Sequence, residues 1–483
     1  MVRRAIRALI LGLTVVLVYF GGQGAAFVYR HHLANEVGDA WHFAPVAGFS
    51  RRTRFLVIAP HPDDEALGAS GAIQQTLEAG GAVCVVVVTN GDGFATAVKR
   101  QFRTMTPTPA NYVAFGEMRQ QETLRAMRVL GVPSANVDFL GYPDGGVNHI
   151  WMNHWSPLDP YLSRDTRSRR SPYTLAYRQG APYCGAAILA DLRQIMVQFQ
   201  PTVIAVCHPD EDHPDHRAVA AFTDLALQTV RDGPSPPAWS RSALLIHYLI
   251  HRGDWPLPQG LDARDPLLPP AEMAALDTQW RELPVTTGQE ENKEQAIRMY
   301  ATQMAIMQPF LQSFVRATEL YGTIQEGSVP ILANQAGLQH VQWSAVVPAL
   351  LDPVRDNMLA DLQGSGDIRA LYVCHDSRRV YFRMELRQRP TQAFRYSFTV
   401  RPFREVDLSP DAALEVDVGA GGKNVADPPG LTTKWTSDSV QASVPIADLD
   451  PSTDHPLQFI SISGTASLAG VTVDVTGARI LAW

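Results

Sequence analysis

The stretch Phe55–Pro60, FLVIAP, is wholly apolar and runs straight into His61-Pro62-Asp63-Asp64-Glu65. An unbroken run of Val, Ile and Leu fits a strand buried on both faces, as in a parallel sheet. The charged residues begin where such a strand must emerge. The same arrangement recurs further along: TVIAVC (202–207) leads into His208-Pro209-Asp210-Glu211-Asp212-His213-Pro214-Asp215-His216. Both clusters open a segment with helical periodicity. In an open α/β sheet, ligand sites gather at the carboxyl ends of the strands, which is where both clusters fall.

The intervening sequence keeps the alternation. DEALGASGAIQQTLEAGG (64–81) reads as a helix closed by Gly80 and Gly81, and AVCVVVVTN (82–90) as a buried strand. GEMRQQETLRAMRVLGV (116–132) reads as a helix stopped by Gly131, and VDFLGYPDGG (137–146) as a short strand ending in a turn. AAILADLRQIMVQFQP (186–201) and HPDHRAVAAFTDLALQTV (213–230) are further helices. Strands alternating with helices predict an α/β fold, a Rossmann-like, doubly wound and mostly parallel sheet, over about residues 50–335. Two long segments interrupt it. Residues 149–183 are rich in Trp, Tyr, Pro and Arg, and 231–242 in Pro and Ser. Loops of this length serve as lids or as packing segments, and the sequence leaves both readings open.

Beyond about residue 345 the character changes. Short runs such as ALYVCHD, RRVYFRMEL, AFRYSFTVRPF and VTVDVTG, separated by turn residues, predict an antiparallel β-sandwich over 345–483. Its role is left open between carbohydrate binding and structural support. The chain has 483 residues and a net charge of -7, which argues against the basic footprint of a nucleic-acid binder. Cys84, Cys184, Cys207 and Cys374 show no CxxC spacing and read as buried reduced thiols.

The N-terminus carries Arg3, Arg4 and Arg7, then an apolar run from Ala8 to Phe20 and small residues to Ala26. This predicts a signal peptide or an uncleaved signal anchor within 1–30. Either places the rest of the chain outside the cytoplasm, membrane-anchored with the arginines inside, or secreted or periplasmic. The membrane is a partner only if the segment stays uncleaved.

His61 and Asp64 lie three residues apart at one strand–helix junction, and His216 lies at the other. Two imidazoles and a carboxylate make a typical catalytic zinc set that leaves a coordination position for water. Asp63 is then placed to act as general base, and His213, one turn before His216, as general acid or oxyanion stabiliser. The plainer alternative for HPDDE is a helix cap, with Asp capping the helix and Pro at its start; beside the metal set, Glu65 reads as supporting the helix start. Two such clusters at two strand ends favour the metal.

In these residues the chain resembles the LmbE-like, or PIG-L-type, zinc-dependent de-N-acetylases that act on N-acetylglucosamine-containing molecules. PHPDDEALG matches the family's first motif and DEDHPDHRAVA its second. TNGDG (89–93), FLGYPDGG and KEQAIRMYATQ follow the family's order between and after them. The resemblance implies His61, Asp64 and His216 as ligands of Zn2+, with Fe2+ as the alternative ion. It implies Asp63 as the base and His213 as the catalytic histidine. Arg119 falls on a substrate-contacting arginine, its plain alternative being a helix-surface pair with Glu122. Asp92 and Asp144 fall in loops near the pocket, and His251, with Asp254, in a loop that reaches the site. His208 is extra and reads as packing. Some family members carry a tyrosine shortly before HPDH, where this chain has Asp210-Glu211-Asp212. The resemblance implies removal of an N-acetyl group from a GlcNAc-type glycan or glycolipid. The competing readings are a catalytically silent glycan-binding protein and an amidohydrolase for a non-sugar N-acyl substrate.

Overall fold

The computed structural model describes residues 43–483 apart from 234, 275, 334–336, 357, 405–412, 420–427 and 451–455. The expected signal segment, 1–30, lies outside the described residues. Among these, no helix is long and apolar enough to cross a membrane.

The first domain follows the predicted alternation. In chain order it runs β1 (Arg54–Ala59), α1 (Asp64–Glu78), β2 (Ala82–Thr89), α2 (Ala95–Phe102), α3 (Pro109–Val129), β3 (Val137–Tyr142) and α4 (Val147–Asn153). It continues with α5 (Gly185–Phe199), β4 (Val203–Cys207), α6 (Pro214–Arg231), β5 (Leu244–Tyr248), β6 (Gln279–Pro284), α7 (Thr287–Arg298), α8 (Ala301–Gln312) and β7 (Thr318–Thr323). The sheet order is β3-β2-β1-β4-β5-β7-β6. β1 to β5 pair in parallel, and β7 joins β5 and β6 antiparallel. Phe55 to Ala59 and Val85 to Val88 are wholly buried, which accounts for their unbroken apolar sequences.

The topology fixes where chemistry can occur. From β1 the chain moves outward to β2 and β3, then returns to place β4 on the other side of β1. The crossovers therefore diverge between β1 and β4, leaving a crevice at their carboxyl ends. The two polar clusters flank that crevice.

The second domain is a sandwich. One sheet is ordered β14-β15-β11-β10-β9 and the other β13-β12-β16-β18-β8, with β17 paired to β16. Here β8 is Gly327–Ser328, β9 Leu350–Leu351, β10 Ile368–His375, β11 Arg379–Leu386, β12 Phe394–Arg404 and β13 Leu414–Gly419. β14 is Thr432–Trp435, β15 Ser439–Pro445, β16 Leu457–Leu468, β17 Val471–Val475 and β18 Arg479–Ala482. The strand runs predicted from sequence are these strands. β8 pairs in parallel with β18, so the sandwich recruits chain from before residue 345. Two residues are too short to carry an alternation pattern, and nothing local announces them.

The two domains share a core. Phe403, Phe459 and Ile480 of the sandwich join the apolar cluster built around the parallel sheet. Phe403 packs on Trp151 and Trp155, with ring centroids 6.1 and 5.4 Å apart. Trp151, Trp155, Tyr173 and Tyr183 are all buried. The 149–183 segment is thus anchored to the core by these aromatic residues, while its Arg164 lines a cavity of the α/β domain.

Candidate active site

Asp63 occupies the N-cap position of α1 but makes no capping hydrogen bond. Its carboxylate turns away and accepts from Arg119 at 3.0 Å. The helix-cap reading of HPDDE thus fails at the residue on which it depends. Asp63 also has φ 120° and ψ -30°, a conformation L side chains rarely adopt. Such strain costs on the order of 1–3 kcal/mol and persists only where neighbours impose it. They do so here: the Asp63 amide donates to Glu65 Oε2 at 3.0 Å, and Tyr300 donates to Glu65 Oε1 at 2.5 Å. Arg119 also donates to the Pro62 carbonyl. Glu65, expected merely to support a helix start, is wholly buried and braces the backbone of Asp63.

Three donor atoms converge beside Asp63. His61 Nδ1 lies 3.0 Å from His216 Nε2, and Asp64 Oδ2 lies 3.1 Å from His216 Nε2 and 3.4 Å from His61 Nδ1. The far sides of both rings face carboxylates. His216 Nδ1 is 2.6 Å from Glu211 Oε2, and His61 Nε2 is 3.1 Å from Asp144 Oδ1. These are ion-pair distances, and neither ring nitrogen makes a hydrogen bond of good angle; with the ring protons on these outer nitrogens, the inner ones keep their lone pairs. His61 Nδ1, His216 Nε2 and Asp64 Oδ2 are then three lone-pair donors facing one point. A tetrahedral zinc with bonds of about 2.1 Å sets its ligand atoms roughly 3.4 Å apart, so the triangle fits the ion. The charge balance agrees. Burial opposes a positive charge on His61, but Asp144, Asp215 and Asp64 outweigh it and raise its pKa. Burial likewise opposes a charged His216, and Asp64 and Glu211 reverse the effect. The site draws positive charge, whether a proton or a cation.

The other expected residues sort themselves around this triangle. His213 is the N-cap of α6, and its Nδ1 accepts from the Asp215 amide at 3.2 Å. A ring nitrogen that accepts is unprotonated, so the imidazole is the neutral tautomer with its hydrogen on Nε2. Burial, with His61 and His216 beside it, pushes the His213 pKa down to about 4. Burial pushes the Asp63 carboxyl up to about 8, with Arg119 opposing the rise and Asp64 and Glu65 adding to it.

Arg119 is buried, and Glu122 is engaged elsewhere, accepting from the amide and hydroxyl of Thr302 at 2.9 and 2.6 Å. The surface-pair alternative for Arg119 is therefore excluded. His251 lies over the cluster, 4.8 Å from the His216 ring, and belongs to a group with Asp64 and His216 that could hold a cation. Asp144 does more than border a pocket, since it orients His61 directly.

Asp92 lies behind the cavity rather than on its lining and accepts from the Asp144 amide at 3.0 Å and the Tyr173 hydroxyl at 2.5 Å. It holds the loop that holds Asp144, because its place at the turn after β2 points it behind that loop. Asp254 does not line the cavity either. His208 packs, as expected: it bonds Thr278 Oγ1 at 2.9 Å and stacks on Trp280.

Sequence reasoning passed over Glu211, Asp215 and Tyr300. The available signal was chemical: a ligating imidazole needs an acceptor for its second nitrogen, and Glu211 stands five residues before His216. Glu211 stands in the stretch Asp210-Glu211-Asp212, where a tyrosine is the residue the resemblance draws attention to.

The cavity over the triangle has a volume of about 360 Å3. His61, Asp63, Asp144, His213 and His251 form its floor, with Arg119 and Arg164 polar and Phe94, Met307, Phe310 and Leu311 apolar. α8 supplies the apolar side at a kink, where Met307 leaves helical geometry two residues before Pro309. Proline lacks the amide hydrogen and crowds the preceding turn, which accounts for the break.

Residues 56–227 match the family model described as "PIG-L: GlcNAc-PI de-N-acetylase". That match lies within the α/β domain. Two curated relatives are both described as 1D-myo-inositol 2-acetamido-2-deoxy-alpha-D-glucopyranoside deacetylase. That of Kineococcus radiotolerans is 24% identical over 288 residues, 56% of this chain and 73% of the relative. That of Mycobacterium sp. (strain KMS) is 30% identical over 178 residues, 36% of this chain and 50% of the relative. Among solved structures, the N,N'-diacetylchitobiose deacetylase of Pyrococcus horikoshii is similar at 18% identity and a TM-score of 0.33, covering 55% of this chain and 82% of its own. The 4-carboxy-2-hydroxymuconate hydratase of Pseudomonas putida is similar at 16% identity and a TM-score of 0.38, covering 59% and 100%. The PIG-L match includes every residue of the triangle, and Asp63, Arg119, Asp144, Glu211 and His213 besides.

Proposed function

We propose that the protein is a metal-dependent hydrolase that removes the N-acetyl group from an N-acetylated amino sugar, in a glycan or glycolipid, outside the cytoplasm. The observation that carries the metal is the triangle of lone pairs at 3.0, 3.1 and 3.4 Å, with both rings oriented by carboxylates. His61, Asp64 and His216 would hold the ion, with zinc the first choice for an N,N,O set and ferrous iron the second. A bound divalent ion supplies Lewis-acid polarisation of the acetamide carbonyl and acidifies a water.

The chain's own groups perform the remaining steps. Asp63 takes a proton from water as the water oxygen bonds to the carbonyl carbon. The neutral His213 donates a hydrogen bond from its Nε2–H to the carbonyl oxygen as charge develops there, and keeps its proton. The C–N bond breaks, the proton on Asp63 passes to the departing amine nitrogen, and acetate and the free amino sugar remain. Arg119 keeps Asp63 aimed, and its positive charge favours the carboxylate form that a base requires. The apolar wall from Phe94 to Leu311 and the rim guanidinium of Arg164 favour a substrate with an apolar or anionic group beyond the sugar. The N-terminal arginines and apolar run support a location outside the cytoplasm.

Acetate release is to be screened over N-acetylglucosamine as monosaccharide, oligosaccharide and lipid-linked forms. Release from at least one, abolished by chelator and restored by zinc, is expected. Absence of acetate from all of them, with glycan binding that survives chelation, would reject the enzyme in favour of a silent binder.

A further inference from the structure

A second carboxylate cluster lies away from the catalytic cavity, where the sandwich meets the loop between β4 and α6. Asp352 and Asp356 follow β9, and Asp474 lies on β17. One oxygen from each is within 4.8 Å of the others. They face a cavity of about 330 Å3 that Asp210 and Asp212 also line.

Among the described residues, no ion pair joins a neighbouring guanidinium to Asp352. Arg479 pairs with Asp210 at 3.2 Å, and Arg252 reaches Asp212 at 3.1 Å and Asp356 at 3.5 Å. Asp474 accepts from the Ile368 and Val475 amides, both at 2.8 Å. Asp352 is different: it is 5% exposed, lines this cavity, and its Oδ2 has no hydrogen-bond partner among the described residues. Asp210 Oδ1, on the same cavity, has none either. A buried carboxylate oxygen without a partner is costly, so positive charge belongs beside it.

We propose that Asp352, Asp356 and Asp474 hold a hard divalent cation of the calcium type, in the cavity where the sandwich meets the loop carrying His213. The donors are all oxygen, which disfavours the softer ions suited to the catalytic triangle. Calcium bonds its oxygens at 2.3–2.6 Å, so oxygens of one shell stand at most about 5 Å apart, and the three here lie within 4.8 Å of one another. The loop Asp210–Asp212 lines the same cavity and runs directly into His213, so the charge of an ion here also offsets that of Asp210.

The test is calcium binding by equilibrium dialysis on the full chain with its catalytic site loaded with zinc, together with thermal unfolding with and without CaCl2. One calcium per chain and a raised midpoint are expected. Asp352→Asn should bind calcium roughly tenfold or more weakly, since each carboxylate contributes to affinity. In calcium-free buffer the same variant should melt no lower than the wild type, because it removes unpaired charge; a merely structural aspartate would lower it. If Asp352→Asn does not fold, Asp356→Asn is read by the same dialysis. No bound calcium at millimolar concentration, or equal binding by variant and wild type, overturns the proposal. A midpoint raised by acid but not by CaCl2 also overturns it and assigns the charge to a proton shared by Asp352 and Asp474.

Discussion

Asp63 and Asp64 are adjacent carboxylates given different work by one backbone torsion. The positive φ of Asp63 turns it toward Arg119, while Asp64, first in the helix, faces the imidazoles. Asp63→Asn keeps the shape and removes the base, so kcat should fall roughly 10²–10⁴-fold. Its metal content by elemental analysis should match the wild type, and a loss of metal would reassign Asp63 to the ligand set. Glu211 acts one step further out. Its oxygen 2.6 Å from His216 Nδ1 fixes which nitrogen is left to bind. Glu211→Gln should weaken zinc about 10–100-fold, read by competition with a chelating dye.

At the scale of elements, the site depends on how closely α3 approaches the turn after β2. Gly91 has φ +60°, and a Cβ there would fall 1.7 Å from Arg119 Nη1. Gly91→Ala is therefore strained twice, in its own backbone and against the guanidinium that aims Asp63. Its activity should fall to the level of Arg119→Ala, and the double variant should be no worse than either alone. Additive losses would show that Gly91 acts by another route. The kink in α8 is the corresponding device on the opposite wall, since Pro309 breaks the helix where Met307 and Phe310 enter the cavity.

Across the whole molecule, the sandwich is built into the core rather than appended to it. Phe403 completes the cluster of Trp151, Trp155 and Phe222, and Arg479 pairs with Asp210 in the catalytic loop. Unfolding should be a single transition by fluorescence and by circular dichroism. Phe403→Ala should destabilise it by about 3–5 kcal/mol, and two separated transitions would contradict the shared core. His247 gives this junction a pH dependence, since it and Arg479 border one interdomain cavity. Burial, with Arg479 adding to it and the bond to the Cys207 carbonyl opposing, pushes its pKa from 6.5 down to about 4. Between those values the unfolded chain binds the proton and the folded chain does not. The contribution of His247 is thus whole above 6.5 and is lost as pH falls toward 4, up to about 3 kcal/mol. Urea unfolding at about pH 7 and about pH 5 should show His247→Gln losing less stability on acidification than the wild type. An equal loss would remove His247 as its source.

The alternation of buried strands and helices, the two clusters at strand ends and the identities of His61, Asp63, Asp64, His213 and His216 were all legible in the sequence. Strand burial, helix periodicity and motif spacing are local properties, carried by neighbouring residues. What required the fold were the relations between distant residues. Glu211 and Asp144 orient the two rings from different loops, Tyr300 braces Glu65 from 235 residues away, and Asp92 turns behind Asp144 instead of into the cavity. Asp352 and Asp474 meet only because β9 and β17 are brought together at the domain junction. Side-chain direction and cross-chain proximity are set by packing, and no local pattern encodes them.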